Sequence, residues 1–348
     1  MSRRSLFLRL ASRLEGPQTL GRGRRFWIGA AIVLALTAAY PLVTDSYTVG
    51  NTVYFFNWVF MALGLCVIWG YGGALSFGQT AFFGIAGYAY GVITLNWGAD
   101  YGLTLWATLA AVALSAIVAA VLGYFLFFGR IRGVFLGIVT LAVTLVLERF
   151  MAQTAGPEWH IGSARLNGFN GMNGMPNLTI PWPDDNGPLV LALLVIVYLA
   201  LRILVNSSFG NVLVAIRENP ERATMLGYDV RKYQLAAFVI GSSLAGLSGV
   251  LYTSWGQYIT PSSMGITAAA LPIVWVAVGG RSDLTATLLG TILLIGGFQA
   301  LTVYGSQYAL VAMGVLLVVT VLLAPEGLIM ALAFLPGRLF RARARETA

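Results

Sequence analysis

The stretch that decides how this chain is organised is AIRENPERATMLGYDV, residues Ala215–Val230. Asn219 is a favoured helix N-cap residue, and Pro220 suits the first position of a helix. Gly227 suits the position just past a helix end, where a positive φ is usual. The pattern predicts a helix of under two turns over Glu221–Leu226. Because so short a helix is unstable alone in water, we expect it to lie against the rest of the protein.

The faces of this predicted helix differ in polarity. We expect the charged side chains of the stretch to face water or a partner and the apolar side chains to face protein. The charged set is Arg217, Glu218, Glu221 and Arg222, and the apolar set is Ala223, Met225 and Leu226. A plain polar loop between two membrane helices is the simpler interpretation, but the caps on both sides favour a structured element.

The composition of the chain is that of a membrane protein. Of its 348 residues, 58% are hydrophobic and 10% are charged, whereas a soluble domain carries about 25% charged residues. We therefore predict an all-α, polytopic membrane protein without a sizeable soluble domain. The net charge is +8, but the basic residues lie at the ends of apolar segments and in the terminal segments. Orientation in the membrane explains this distribution better than a nucleic-acid partner does.

A membrane-spanning helix needs about 20 mainly apolar residues, and the sequence offers about ten such segments. They are Phe26–Val43, Asn51–Trp69, Leu75–Leu95, Thr104–Phe128, Val134–Phe150, Pro188–Val205, Tyr233–Trp255, Gly265–Val278, Thr285–Tyr304 and Gln307–Leu323. We predict about ten spans, some of them interrupted by glycine, and the eighth is short.

The basic residues are distributed unequally between the two sides of these spans. With a cytoplasmic N-terminus, 19 of the 21 Lys and Arg residues fall on the cytoplasmic side, and only Arg149 and Arg165 fall outside. This asymmetry predicts that both termini are cytoplasmic. The predicted parts are a basic tail (1–25), one membrane domain (26–327) with a cytoplasmic loop (206–232) and an outer loop (151–187), and a second basic tail (328–348). The outer loop has no obvious secondary structure.

Glycine is concentrated in WGYGGALSFGQTAFFGIAGYAYG, the Gly-rich stretch Trp69–Gly91, which holds seven glycines in 23 residues. A second small-residue stretch covers Gly241–Gln257. Small residues let helices approach closely in lipid, and glycine-interrupted helices in both halves of a chain also mark the substrate path of some transporters. Both interpretations stay open. For the second, the candidate path residues are Ser76, Gln79, Gly78 and Gly84.

The sequence argues against several functions. The spans carry no charged residue near mid-depth, which argues against an ion-coupled pump and favours a neutral or zwitterionic solute. His160 is the only histidine, so we predict no metal site. The sequence contains no GxxxxGK[ST] phosphate loop and no usable catalytic set. We therefore expect a chain that is not an enzyme, holds no cofactor and does not itself bind ATP.

These stretches resemble those of a known family, the membrane permease subunits of Liv-type ABC importers for branched-chain amino acids. The Gly-rich stretch is similar to the family's G-x-LSxGxxxFxGxGAY pattern, and Ser207–Tyr252 is similar to its cytoplasmic loop and following helix. NGMNGMP, VAVGGRSDL (Val276–Leu284) and LAPEGL (Leu323–Leu328) match further family signatures. The resemblance covers about residues 50–330.

The resemblance implies an assembly in a bacterial inner membrane. A second permease subunit would complete the pathway as a heterodimer, two cytoplasmic subunits would bind ATP, and a periplasmic binding protein would deliver the solute. The resemblance also implies that Ala215–Val230 couples the permease to the ATPases. The candidate coupling residues are Arg217, Glu218, Asn219, Pro220, Glu221, Arg222 and Gly227.

The sequence indicates the machinery more clearly than the substrate. Where the family has GG-x-G-[ST], this chain has GGRSD at Gly279–Asp283. WGY at Trp69–Tyr71 and ENPERATMLGYDV are closer to the urea-importer branch, whereas NGMNGMP is closer to the amino-acid branch. A urea or short-amide permease stays open as an alternative. A passive solute channel also stays open, although it would need no segment that docks an ATPase.

Overall fold

The computed structural model describes residues 13–98, 101–178, 187–324 and 326–331, and helices dominate them. In chain order they are α1 (Gly23–Ala39), α2 (Ser46–Leu65), α3 (Gln79–Trp97), α4 (Tyr101–Phe128), α5 (Val134–Gln153), α6 (Gly187–Val205), α7 (Ser208–Glu218), α8 (Pro220–Met225), α9 (Val230–Gly256), α10 (Ile266–Gly279) and α11 (Leu284–Leu323). The predicted all-α membrane fold is confirmed.

Seven helical stretches within the described residues are long and apolar enough to cross a membrane. They are Gly23–Leu42, Tyr47–Tyr71, Leu103–Phe128, Val134–Gln153, Pro188–Val205, Val230–Gly256 and Leu284–Thr302. These correspond to seven of the ten predicted spans.

The other three predicted spans differ from the helices that the structure contains. α3 begins at Gln79, four residues after the predicted start, because the chain first makes a turn at residues 72–78. α10 has only 14 residues. The tenth segment is the second half of α11, which continues from the ninth across Gly305, whose backbone is not helical. Crossing of the membrane at these three segments stays a prediction.

The outer loop contains short strands that the sequence analysis did not predict. β1 (His160–Ile161) pairs antiparallel with β2 (Ala164–Arg165). β3 (Met172–Asn173) pairs antiparallel with β4 (Tyr258–Ile259), which follows α9. Strands of two residues are too short to show an alternating pattern in the sequence. The β3–β4 pair fastens the outer loop to the end of α9.

α9 lies at the centre of the bundle and packs against α2, α3 and α4. Glycines make this packing close. A Cβ added to Gly241 of α9 would lie 2.4 Å from the carbonyl oxygen of Gly64 in α2, and one added to Gly249 would lie 2.1 Å from the carbonyl oxygen of Phe83 in α3. Small residues in α9 and on its neighbours therefore bring the helix backbones together.

The two ends of the bundle differ in structure. One end carries α7, α8 and the turn between α4 and α5, and we call it the α8 end. The opposite end carries β1 to β4. Ala215–Val230, which we call the polar stretch, thus lies at a single end of the bundle, away from the outer loop.

Candidate functional site

The short helix α8 is capped as the sequence predicted. The backbone of Asn219 is extended, and its Oδ1 accepts a hydrogen bond from the Arg222 N–H at 2.9 Å. Pro220 occupies the first helical position. Gly227 has a φ of +90°, and its N–H donates to the Thr224 carbonyl at 2.9 Å. Both ends of α8 are therefore fixed by local contacts, which makes the helix a defined element.

The prediction for the apolar face of α8 is wrong in part. Ala223 is 1% exposed and packs in a small cluster with Ile216 and Val230. Met225 and Leu226, which we expected to face protein, are 86% and 74% exposed. Residue 225 follows Ala223 by two positions, about 200° around a helix, and Leu226 is already the C-cap. α8 consequently presents two large apolar side chains on the exterior.

The prediction that the Arg217 side chain faces water or a partner is also wrong in part, because the side chain is bonded to the bundle. Its Nη1 donates to the Gly70 carbonyl at 2.7 Å, and its Nη2 donates to Glu218 Oε1 at 2.7 Å. Gly73, which has a φ of +71°, lies so close that an added Cβ would be 3.1 Å from Arg217 Cγ. Glu218 stays largely exposed. The polar stretch and the Gly-rich stretch therefore touch.

Sequence reasoning selected these two stretches separately and missed their contact. Arg217 and Gly70 are 147 positions apart, and no spacing rule relates residues at that separation. Glu221 and Arg222, in contrast, are exposed as predicted. Because Arg217 ties the end of α7 to the helical turn Cys66–Tyr71 that follows α2, α8 is attached to the bundle by side-chain contacts as well as by the chain itself.

Two of the candidate path residues lie near the start of α3, with Ser76 in the preceding turn and Gln79 as the first helical residue. Ser76 is fully buried, and its Oγ accepts a hydrogen bond from the Gly78 N–H at 3.1 Å. Gln79 is also buried, and neither its amide oxygen nor its amide nitrogen has a hydrogen-bond partner within the described part of the chain. A buried polar group without a partner costs free energy. The polar atoms of Gln79 are therefore not engaged by any described residue.

The glycines among the candidate path residues make close contacts. A Cβ on Gly84 would lie 2.0 Å from Met264 Sδ, and a Cβ on Gly78 would lie 3.3 Å from Thr140 Cβ. The contact at Gly84 leaves no room for a Cβ unless Met264 moves, whereas a Cβ at Gly78 would be tight but not excluded, whether or not a solute passes nearby.

Aromatic side chains fill the interior next to α3, a feature that the sequence analysis missed. Trp58 of α2 stacks on Phe83 of α3 with ring centroids 5.0 Å apart and planes at 5°. Tyr252 of α9 and Trp275 of α10 complete the cluster at 5.1 and 5.6 Å from Trp58. Four helices bring these rings together, so no local motif reveals them. They give the bundle an apolar interior next to the candidate path residues.

The described residues contain no group of three or more His, Cys, Asp or Glu side chains that could hold a metal ion. His160 is exposed, and its Nδ1 lies 3.0 Å from the Pro157 carbonyl oxygen. Cys66 is a buried free thiol.

Comparison with known proteins identifies the family. Residues 47–324 match the family described as branched-chain amino acid transport system, permease component. A probable branched-chain amino acid transport permease protein LivM from Methanocaldococcus jannaschii is 28% identical over 40% of this chain and 45% of its own length. LivH from the same organism, described in the same words, is 31% identical over 40% of this chain and 45% of its own length.

A third relative, a probable ABC transporter permease protein YphD from Escherichia coli, is 32% identical over 38% of this chain and 43% of its own length. The matched region thus spans less than half the length of these curated relatives, and no solved structure matches the chain. The family match itself covers most of the chain, and it agrees with the resemblance seen in the sequence motifs. The chain therefore belongs to the family of permease components of branched-chain amino acid transport systems.

Proposed function

We propose that this chain is a permease subunit of an ABC importer that carries branched-chain or related amino acids. The observation that carries the proposal is α8, a capped helix that exposes Met225 and Leu226 beside the charged Glu221 and Arg222. Large apolar side chains held outward on a rigid element are typical of docking surfaces. The partner at this surface is a cytoplasmic ATPase subunit.

The energy for transport comes from that partner. The sequence of this chain has no phosphate-binding loop, so ATP is bound by two separate ATPase subunits. A second permease completes the pathway, and a binding protein delivers the solute at the end that carries β1 to β4. The α8 end faces the cytoplasm of a bacterial cell, in agreement with the distribution of basic residues.

The contact between Arg217 and Gly70 supports this role for α8. A movement of the ATPases that displaces α8 would reach the helical turn Cys66–Tyr71 through this side chain, whose Nη1 lies 2.7 Å from the Gly70 carbonyl oxygen, and the turn at residues 72–78 follows directly. The candidate path residue Ser76 lies within that turn, and Gln79 begins α3 directly after it. A passive channel needs no such connection.

The test uses the complete importer in liposomes, with ATP inside and binding protein outside. We expect ATP-driven uptake of labelled leucine in preference to urea. The double variant Met225→Ser, Leu226→Ser should insert normally but lose most of the uptake and of the solute-stimulated ATP hydrolysis. The matched control is Leu42→Ser, Val43→Ser, since these side chains are equally exposed on a different turn.

Two results would contradict the proposal. Uptake of urea without uptake of leucine would assign the chain to the urea branch. Leucine uptake that proceeds without ATP would indicate a passive channel.

A further inference from the structure

A cavity of about 160 Å³ lies at the α8 end, between the turn that precedes α3, the α4–α5 turn and the start of α8. This is below the roughly 300–1,000 Å³ of most ligand pockets, and it suits a small solute. Its apolar walls come from Phe127, Ile131, Leu136 and Ile216, and its polar groups come from Arg132, Arg217 and Gln234. An apolar lining with a few convergent polar groups is typical of a binding site.

The two arginines in this cavity differ in their partners. The guanidinium of Arg217 is engaged by Glu218 and by the Gly70 carbonyl. Arg132 is exposed, and it has neither an ion pair nor a side-chain hydrogen bond to any other residue that the structure describes. Arg132 therefore supplies a free cation at the edge of the cavity.

The backbone of the α4–α5 turn holds Arg132 in place. The Ile131 N–H donates to the Leu126 carbonyl at 2.9 Å, and the Arg130 N–H donates to the Phe127 carbonyl at 3.2 Å. These bonds form a Schellman motif, in which the residue with positive φ is usually glycine. Here that residue is Arg130, with a φ of +59°. The chain accepts a strained backbone at this turn, which fixes the direction of the following residues.

We propose that this cavity is a transient binding site for the transported amino acid on its way to the cytoplasm, with Arg132 as the ligand of its carboxylate. This inference rests on the proposed function. A guanidinium binds a carboxylate through two parallel hydrogen bonds, and the apolar walls accept a branched aliphatic side chain. The Gln234 amide oxygen can accept a hydrogen bond from the amino group. Urea, which has no carboxylate and no aliphatic part, would use neither feature.

The position of the cavity also links solute release to the ATPase. Pro220 and Arg217 form one wall, and Gly73 forms part of another. Any displacement of α8 relative to the turn before α3 changes the space between these walls. A solute bound there would therefore be released or retained according to the position of α8.

The experiment measures protection of a cysteine in the cavity wall. Ile131→Cys is introduced into the chain and purified in the complete importer, where the native Cys66 is buried and reacts little. The rate of modification by N-ethylmaleimide is measured with L-leucine, with isoamylamine (leucine without its carboxylate) and with urea. We expect millimolar leucine to slow modification several-fold and the other two compounds to have no effect.

Variants of the turn test the role of Arg132. In the same reporter background, Arg132→Gln should abolish protection by leucine, and Arg132→Lys should retain part of it. Arg130→Gln is the matched control, because it removes an equal charge from the same turn without touching this cavity. Protection by isoamylamine equal to that by leucine, or protection that survives Arg132→Gln, would overturn the proposal.

Failure of this proposal can be separated from failure of the proposed function. If the Ile131→Cys importer takes up leucine but leucine gives no protection, the site is wrong and the function stands. If the importer takes up urea but not leucine, the proposed function is itself wrong.

Discussion

Two polar segments lie at the α8 end, and they differ in where their hydrogen bonds go. Residues 14–21, the N-terminal segment, are held by side chains from distant parts of the chain. Residues 220–227, which form α8 and its cap, are held mainly by contacts within the polar stretch itself. The N-terminal segment is therefore part of the tertiary structure. The conformation of α8, in contrast, depends on its own residues, so its exposed side chains can contact a partner.

Arg202 is the main anchor of the N-terminal segment. Its guanidinium is 0% exposed, and it donates to the carbonyls of Leu14 at 2.9 Å and Gly21 at 2.6 Å. A third bond goes to the Tyr198 hydroxyl at 2.8 Å, and the ring of Phe26 lies 4.8 Å from the guanidinium carbon. The sequence analysis counted Arg202 only as one of the basic residues on the cytoplasmic side, whereas the structure buries it in the last turn of α6.

Other polar groups complete this attachment. The Tyr71 hydroxyl donates to the Gln18 carbonyl at 2.8 Å, and Asn206 Oδ1 accepts from the Gln18 N–H at 3.2 Å. Asp283 accepts the Leu20 N–H while it also caps α11. The described part of the predicted basic tail is thus bonded to α6, α11 and the helical turn after α2. Its position is fixed by tertiary contacts.

Removal of the anchor should have the largest effect. Arg202→Leu leaves the part-buried carbonyls of Leu14 and Gly21 without their donor, and each unsatisfied group costs about 1–3 kcal/mol. We expect the variant to lose about 3 kcal/mol or more of unfolding free energy and to unfold several degrees lower in detergent. Hydrogen exchange should become faster in residues 14–21 but remain unchanged in residues 220–227.

The control for this prediction is Arg149→Leu. The Arg149 side chain is 72% exposed, and substitutions at such positions usually change stability by less than about 0.5 kcal/mol. Equal melting temperatures for the two variants would show that the N-terminal segment is not part of the stable fold.

A change at the cap of α8 should have a smaller and more local effect. Gly227 has a φ of +90°, and nothing lies within 4 Å of an added Cβ. Gly227→Val therefore causes no steric clash, and its cost in unfolding free energy is only that of placing a side chain at a positive φ, about 1–2 kcal/mol. We expect a nearly unchanged melting temperature but a loss of solute-stimulated ATP hydrolysis by the complete importer, because the end of α8 is no longer defined.

Gly227→Asn is the matched variant, since asparagine tolerates positive φ better than valine does. It should keep most of the stimulation. If valine and asparagine behave alike, the conformation of the cap is not what matters for coupling.

The contrast between local contacts in α8 and distant contacts in the N-terminal segment also explains which features could be predicted from the sequence. The caps of α8 depend on residues within a few positions of one another, so Asn219 and Gly227 were sufficient to place them. The apolar spans follow from composition in the same local way. The positions of Arg202 and Arg217 depend on carbonyl groups that are up to 188 residues away. A backbone carbonyl carries no sequence signature, which is why the sequence did not reveal the buried partners of these arginines.

The outward direction of Met225 was unpredictable for a related reason. A helix of six residues has a single inward position, occupied by Ala223, and a hydrophobic pattern over so few residues does not show which side is inward. The aromatic cluster around Trp58 and the cavity beside Arg132 are likewise products of helix packing.

Charge reversal on α8 should have the smallest effect on stability and should distinguish a docking surface from a merely exposed one. Glu221 lies in the first turn of α8 and Arg222 in its last turn, and both are exposed. Glu221→Lys with Arg222→Glu opposes the helix dipole, which costs about 0.3–1 kcal/mol for each charge. We expect no measurable change in melting temperature but a clear drop in solute-stimulated ATP hydrolysis.

The neutral pair Glu221→Gln with Arg222→Gln serves as the control, since it removes the charges without reversing them. If α8 meets a charged partner surface, the reversed pair should be impaired more than the neutral pair at low salt, and the difference should shrink at high salt because ions screen exposed charges. Equal stimulation in wild type, neutral and reversed variants at low salt would mean that these two side chains do not meet the ATPase, and that any docking by α8 depends on Met225 and Leu226 alone.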